Sequence, residues 1–225
     1  MAGVIRAVVF DMDGVLVDTE QAWDEVRERL TREWGGRYTP EAQRAMMGMS
    51  SAEWSRYLHD TVGLPQSPDE INREVVHRML DRYRRELPVI PGAVDAVRRL
   101  DAAGLALAVA SSSNRPLIDA VLGTLGLGEA FAATVSSEEV ARGKPSPDVY
   151  LEAARRLGVA PGSCAAVEDS ESGIRSAHAA GMRVLALPNR DYAPTDEALA
   201  LADLVLDDLR ALTPAAVSGM DAPAG

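Results

Sequence analysis

The chain has a single cysteine, Cys164, so no intramolecular disulfide can form, and its chemistry suits a reducing compartment. Cys164 lies in the apolar run Cys164-Ala165-Ala166-Val167, which reads as a small core hydrophobe rather than a reactive thiol. Basic residues are in deficit: 23 Lys and Arg face 34 Asp and Glu, for a formal net charge of -11. That balance excludes the usual nucleic-acid and anionic-membrane binders, which neutralise phosphate with Lys and Arg. It leaves room for an anionic small molecule, because a metal and one lysine can reverse the field inside a single cleft. No long apolar run follows Arg6, and Asp11 interrupts the first apolar stretch early, so neither a secretory leader nor a spanning helix is expected. The three histidines, His59, His77 and His178, have no metal-ligand spacing and read as helix-face residues. These absences predict a cytoplasmic protein, and the expected oligomeric state is a monomer, with a dimer as the alternative.

What the chain does have is alternation. With 225 residues, 47% apolar and 25% charged, it can bury a substantial core. Short, continuously apolar runs near 4–10, 105–110, 132–136, 164–168 and 183–187, with a weaker one near 203–206, predict strands covered on both faces. Helical patterns lie between them. One opens at Pro91-Gly92 and reaches Ala103. A second is capped by Asn114 and reaches Leu125. A third opens at Pro145-Ser146-Pro147 and stops at Gly158, and a fourth is capped by Ser170 and stops at Gly181. The expected fold class is α/β, a doubly wound parallel sheet of Rossmann-like type. Residues 18–87 break the pattern. They show helical periodicity without a strand, hold all three tryptophans (Trp23, Trp34, Trp54), and are broken at Gly35-Gly36, Thr39-Pro40, Gly48 and Gly63-Leu64-Pro65. This predicts an all-helical cap over 18–87 inserted into a core formed by 1–17 and 88–225, with hinges at Val15–Asp18 and Pro88–Pro91. The Ala-, Pro- and Gly-rich tail from Pro214 is expected to be loosely held.

The chemistry concentrates at strand ends. Asp11-Met12-Asp13-Gly14 follows the first strand, and two carboxylates so close raise each other's pKa unless a cation or a shared proton sits between them. Ser111-Ser112-Ser113-Asn114, Gly143-Lys144-Pro145 and Glu168-Asp169 stand at or near the ends of later strands, where open parallel sheets bind ligands. Singly, each segment could be a turn or a helix start; jointly they point to one site. The candidate nucleophile is Asp11, a carboxylate able to attack phosphorus. Asp13 is the candidate acid and base for the leaving group and for water. Asp11, Asp13, Glu168 and Asp169 are candidate ligands for Mg2+, a hard ion that takes oxygen donors. Gly14, Ser111, Ser112 and Lys144 are candidate phosphate-binding residues, with Lys144 also bridging to Asp11. Gly143-Lys144 is not a P-loop, because Glu138 stands where that motif needs Gly and Pro145 where it needs Ser or Thr. The arginines Arg78, Arg82, Arg84 and Arg85 read as a solvated cap face, one of which could reach the cleft.

The segment Val8 to Glu20, the segment Val109 to Asn114, Lys144-Pro145-Ser146-Pro147-Asp148, and Val167-Glu168-Asp169-Ser170 with Gly173 together resemble the four motifs of the haloacid dehalogenase superfamily, over nearly the whole chain. The helical insertion is similar to the cap of the branch holding β-phosphoglucomutase and phosphoglycolate phosphatase. The resemblance implies a magnesium-dependent phosphoaspartyl mechanism under a closing cap. Within that branch, mutases carry a cap histidine where this chain reads Glu20-Gln21-Ala22-Trp23-Asp24, and a cap arginine where it reads Gly48-Met49-Ser50-Ser51. Both departures favour water as the final acceptor. The expected function is a phosphatase of a small phosphate monoester, such as a sugar phosphate, with a β-phosphoglucomutase-like phosphotransferase as the alternative. A haloacid dehalogenase and a non-catalytic phosphoaspartate receiver stand behind these.

Overall fold

The computed structural model describes residues 4–46, 49–189 and 193–219. Six parallel strands, β1 (Ala7–Phe10), β2 (Ala106–Ser111), β3 (Ala133–Ser136), β4 (Cys164–Glu168), β5 (Arg183–Ala186) and β6 (Leu204–Val205), form one sheet in the order β3-β2-β1-β4-β5-β6. Every residue of β1 and β4 is buried, which is why these runs are continuously apolar rather than alternating. The alternation is spatial. Val8 and Phe10 face one core with α5 (Ala93–Ala102) and α6 (Arg115–Leu125); Ala7 and Val9 face a second core with α7 (Asp148–Leu157) and α8 (Glu171–Ala179). The second face is alanine-rich, with Ala7, Ala108, Ala110, Ala166 and Ala186, and Tyr150 of α7 packs there fully buried. Each large apolar side chain buried this way contributes about 1.5–3 kcal/mol.

Four helices, α1 (Glu20–Glu33), α2 (Pro40–Met46), α3 (Ser51–Asp60) and α4 (Pro68–Arg85), lie between β1 and α5, with no strand among their described residues. The chain enters and leaves this cap side by side. Val17 bridges Val89 in antiparallel fashion, Asp18 N–H donates to Pro88 C=O at 2.8 Å, and Ile90 N–H donates to Leu16 C=O at 3.0 Å. The Gly48 break lies outside the described residues. The cap also touches the core directly: Ser51 Oγ donates to Glu138 at 3.2 Å, and Asn114 Nδ2 donates to Asn72 at 3.2 Å.

Several local expectations are corrected. The helix expected from Pro145 begins at Asp148; Ser146 N–H instead closes a turn on Gly143 C=O at 2.9 Å, which presents Lys144 to the cleft. Asn114 stands at the start of α6 but makes no side-chain cap there; its amide bonds Asn72 and Glu138, so cap-to-core contact takes precedence over capping. The tail is not loose at its start. Thr213 caps a further helix, α10 (Pro214–Ser218), and Val217 is fully buried, while residues 220–225 lie outside the described part. A short helix, α9 (Asp196–Leu199), precedes β6. No helix among the described residues is long and apolar enough to cross a membrane.

Candidate active site

The strand order places the sheet's switch point between β1 and β4, where the chain reverses its direction of growth and a crevice opens beyond the strand ends. Asp11 follows β1 there, fixed by its N–H donating to Val167 C=O at 3.0 Å. Glu168 ends β4, and Asp169 follows it. Lys144 arrives from the turn before α7 and donates to Asp11 Oδ1 and to Glu168 Oε1, each at 2.6 Å. All four side chains are buried, and Glu168 is completely so. In ionised form, three carboxylates against one ammonium leave two surplus negative charges out of water.

The electrostatics follow from that surplus. Burial is the largest influence on Asp11 and pushes it up to about 8; Lys144 opposes, and Glu168 and Asp13 reinforce. Asp169 is driven well above the ordinary carboxylate range by burial, then by Glu168 and Asp11. Burial works to lower Lys144, but Asp11 and Glu168 together outweigh it and hold the ammonium charged. One oxygen from each of Asp11, Glu168 and Asp169 lies within 4.8 Å of the others. An all-oxygen donor set with excess negative charge fits a hard divalent cation.

The three carboxylates are not equivalent. Glu168 Oε1 accepts from Lys144 and from Tyr150 Oη at 2.6 Å. Its Oε2 accepts from Asp169 N–H at 3.1 Å, Ser170 N–H at 3.4 Å and Ser170 Oγ at 3.1 Å. Five donors occupy the carboxylate, so Asp11 and Asp169 are the freer ligands. Asp13 stands apart from the three. Its carboxylate accepts from Thr19 Oγ1, from Ser113 Oγ at 2.7 Å, and over longer distances from Trp23 Nε1 at 3.4 Å and Ser111 Oγ at 3.5 Å. The structure thus brings three of the four expected metal ligands together and holds the Asp13 side chain apart from them, between Ser111 and Ser113 of the core and Thr19 and Trp23 of the cap.

The main cleft, about 550 Å3, is lined by Asp11, Asp13, Lys144, Asp169 and Ser112. Of the expected phosphate-binding residues, Ser112 and Lys144 line this space. Ser111 is fully buried, and its Oγ accepts from Ser113 N–H at 3.0 Å. Gly14 adopts φ +87°, and a Cβ there would stand 1.8 Å from Asp169 Oδ2. Its absent side chain therefore makes room for Asp169. The arginine run does not reach the cleft: Arg78 pairs with Glu33 and Glu74, Arg82 with Glu25, and Arg84 with Asp81. His77 and His178 are exposed, while His59 is half-buried with Nδ1 2.9 Å from the carbonyls of Leu64 and Gln66. Cys164 is buried as expected, its thiol pushed up to about 11 by burial.

Sequence reasoning missed Ser113, Tyr150, Glu20 and Arg27. Ser113 carried a weak signal, two residues past Ser111 on the same loop. Glu20 and Arg27 carried another, a seven-residue spacing that puts both on one helix face. Tyr150 carried none.

A family model described as haloacid dehalogenase-like hydrolase matches residues 5–181. Hexitol phosphatase B of Escherichia coli (strain K12) is 33% identical over 214 residues, covering 93% of this chain and 95% of that protein. A bifunctional riboflavin kinase/FMN phosphatase of Arabidopsis thaliana is 32% identical over 183 residues, which span 81% of this chain but 48% of the longer protein. Among solved structures, CbbY from Rhodobacter sphaeroides in complex with phosphate superposes with a TM-score of 0.82 at 29% identity, covering 93% of this chain and 96% of that one.

Proposed function

The chain belongs to the haloacid dehalogenase-like hydrolases, and from that premise we propose a phosphatase that releases inorganic phosphate from a small phosphorylated metabolite, such as a sugar phosphate, through an aspartyl phosphate on Asp11. The observation that carries the reading is Lys144 held between Asp11 and Glu168 beside Asp169, at the open end of the sheet.

Lys144 engages Asp11 Oδ1, which leaves Oδ2 to attack phosphorus. As that bond forms, the ester P–O bond breaks, and the leaving oxygen takes a proton from the Asp13 carboxyl. In the second half, the Asp13 carboxylate takes a proton from water, the water oxygen attacks phosphorus, and the bond to Asp11 breaks. Asp13 is held for this work from two sides, by Ser113 of the core and by Thr19 and Trp23 at the cap. Asp11 and Asp169 would hold Mg2+, which when bound supplies positive charge against the transferring phosphoryl group. Glu168 positions Lys144, and Ser112 with Lys144 contacts phosphate oxygens. The proposal extends to a cytoplasmic monomer.

Trp23 occupies the stretch where a mutase would carry histidine, and its indole donates toward Asp13. Water is therefore the acceptor in this reading. The test is phosphate release over sugar, nucleotide and small-acid phosphates with magnesium, together with β-glucose 1-phosphate primed by the bisphosphate. Phosphate release should dominate. Isomerisation to glucose 6-phosphate far faster than phosphate release would overturn the assignment of water as acceptor.

A further inference from the structure

A smaller cavity of about 60 Å3 adjoins the cleft on its cap side and shares Asp13, Glu20 and Ser112 with it. Its apolar walls are Trp23, Trp54, Met46 and Met49, and one cation, Arg27, lies among them. Arg27 is only 9% exposed. Its guanidinium carbon sits 4.8 Å from the Trp23 ring centroid and 5.0 Å from that of Trp54, two rings themselves 6.1 Å apart. The guanidinium lies over both rings, which are themselves tilted by 60°, a cation–π arrangement that holds it against the cap. Nε has no hydrogen-bond partner, and among the described residues no carboxylate lies within the 4.0 Å of an ion pair with Arg27.

Glu20, Asp24 and Asp13 act on the guanidinium through space, but it makes no contact ion pair, and a buried guanidinium without one is costly. The cost is understandable if a ligand supplies the partner. The cavity limits what that ligand is. Its volume equals about two waters, enough for a short carbon fragment with one or two oxygens. Asp13 and Glu20 on the rim disfavour an anion inside this small cavity, whereas the adjoining cleft also carries Arg44 and Arg175. The donor edge of Arg27, the acceptor Glu20 and the apolar faces of the tryptophans and methionines together match a hydroxylated carbon chain, with donors and acceptors at its edges and C–H groups on its faces.

We propose that Arg27 is a specificity-determining residue that binds a hydroxyl at the end of the substrate remote from phosphorus, and that the substrate class is a polyol or sugar monophosphate whose remote end carries hydroxyls rather than a second charge. This rests on the phosphatase reading for the reaction but not for the binding, so the two are tested apart. Arg27→Met keeps a long apolar side chain between the tryptophans and removes the donors. Binding of a hexitol monophosphate is measured by calorimetry with magnesium on Asp11→Asn and on Asp11→Asn/Arg27→Met, and turnover of the same ester and of acetyl phosphate, which has no hydroxylated tail, on Arg27→Met. The expected results are about 10- to 100-fold weaker binding in the double variant, the scale of a lost charge-assisted hydrogen bond, and a matching fall in kcat/KM for the hexitol ester carried mainly by KM. Acetyl phosphate turnover should stay within about twofold, and the unfolding temperature should not fall. Equal losses on the hexitol ester and on acetyl phosphate, or unchanged hexitol binding, would overturn the role of Arg27. Tighter Arg27-dependent binding of a bisphosphate would overturn the substrate class. Arg27-dependent hexitol binding without phosphate release from any ester would uphold this inference and sink the reaction instead.

Discussion

Replacing Gly173 by alanine should cripple the enzyme although Gly173 does not line the cleft. Gly173 lies in the first turn of α8 with no unusual φ, where Gly to Ala ordinarily stabilises a helix by about 1 kcal/mol. Here a Cβ would stand 1.9 Å from the Glu168 carboxyl carbon and Oε1, and 2.0 Å from Oε2. Ordinary contact begins near 3.4 Å, so the carboxylate must retreat by about 1.5 Å (3.4 minus 1.9). Glu168 is completely buried, and that retreat strains all five of its hydrogen bonds, including those to Lys144 and Tyr150. Disrupting a buried ion pair costs about 3–5 kcal/mol, which leaves a net loss of about 2–4 kcal/mol after the helix gain. For a chain of this size that lowers the unfolding temperature by roughly 4–16 °C. Turnover should fall at least about tenfold, because Lys144 loses the partner that aims it at Asp11. Gly123 in α6 is the control: nothing lies within 4 Å of its would-be Cβ, so Gly123→Ala should raise the unfolding temperature slightly. Calorimetry and phosphate release on both variants decide the matter. A Gly173→Ala protein as stable and active as the parent would refute the view that Glu168 is pinned by its donors.

Asp11→Asn should retain less than about a tenth of parental turnover while staying folded, as phosphate release and circular dichroism will check. In chelator it should also be more stable than the parent, increasingly so as pH rises. The folded carboxyl, pushed up to about 8 from an ordinary 3.8, keeps a proton that the unfolded chain gives up, so its ionisation penalises the parent progressively between about pH 4 and 8. A melting-temperature difference that is flat across that window would contradict the burial argument. Chelation should abolish phosphate release without unfolding the core, and added magnesium should raise the melting temperature through the charge surplus at Asp11 and Asp169; full activity in excess chelator would overturn the metal assignment.

The sheet was legible because a strand buried on both faces leaves little choice of residue. The run at 164–168 becomes β4 without a shift, β2 is displaced by one residue to take in Ser111, and the other strands differ by trimmed ends. Asp11, Lys144, Glu168 and Asp169 were legible for a related reason, since strand ends and their following turns have fixed places in a parallel sheet. Less readable was anything decided by long-range contact. Asn114 has the chemistry of a cap residue yet spends its amide on Asn72 and Glu138, two segments remote in sequence. The tail's composition predicts looseness, but Thr213 caps a helix there and Ala216 and Val217 are buried against the core. Arg27 looks like any helix arginine until the fold closes Trp54 over it.

The paired crossing between core and cap has a mechanical consequence. Two linkers bonded to each other through Val17 and Val89 bend as one leaf, so sliding or twisting of the cap relative to the sheet is resisted while a swing about one axis is not. The same leaf is anchored in the loop that carries Asp11 and Asp13, because Gly14 N–H donates to Val17 C=O at 2.7 Å and Leu16 N–H to Met12 C=O at 2.8 Å. A swing that opens the cleft must also draw Trp23, on α1, away from Asp13. Asp13, the proposed acid and base, is thus held in part by the cap itself, and a swing that withdraws Trp23 removes one of its four donors.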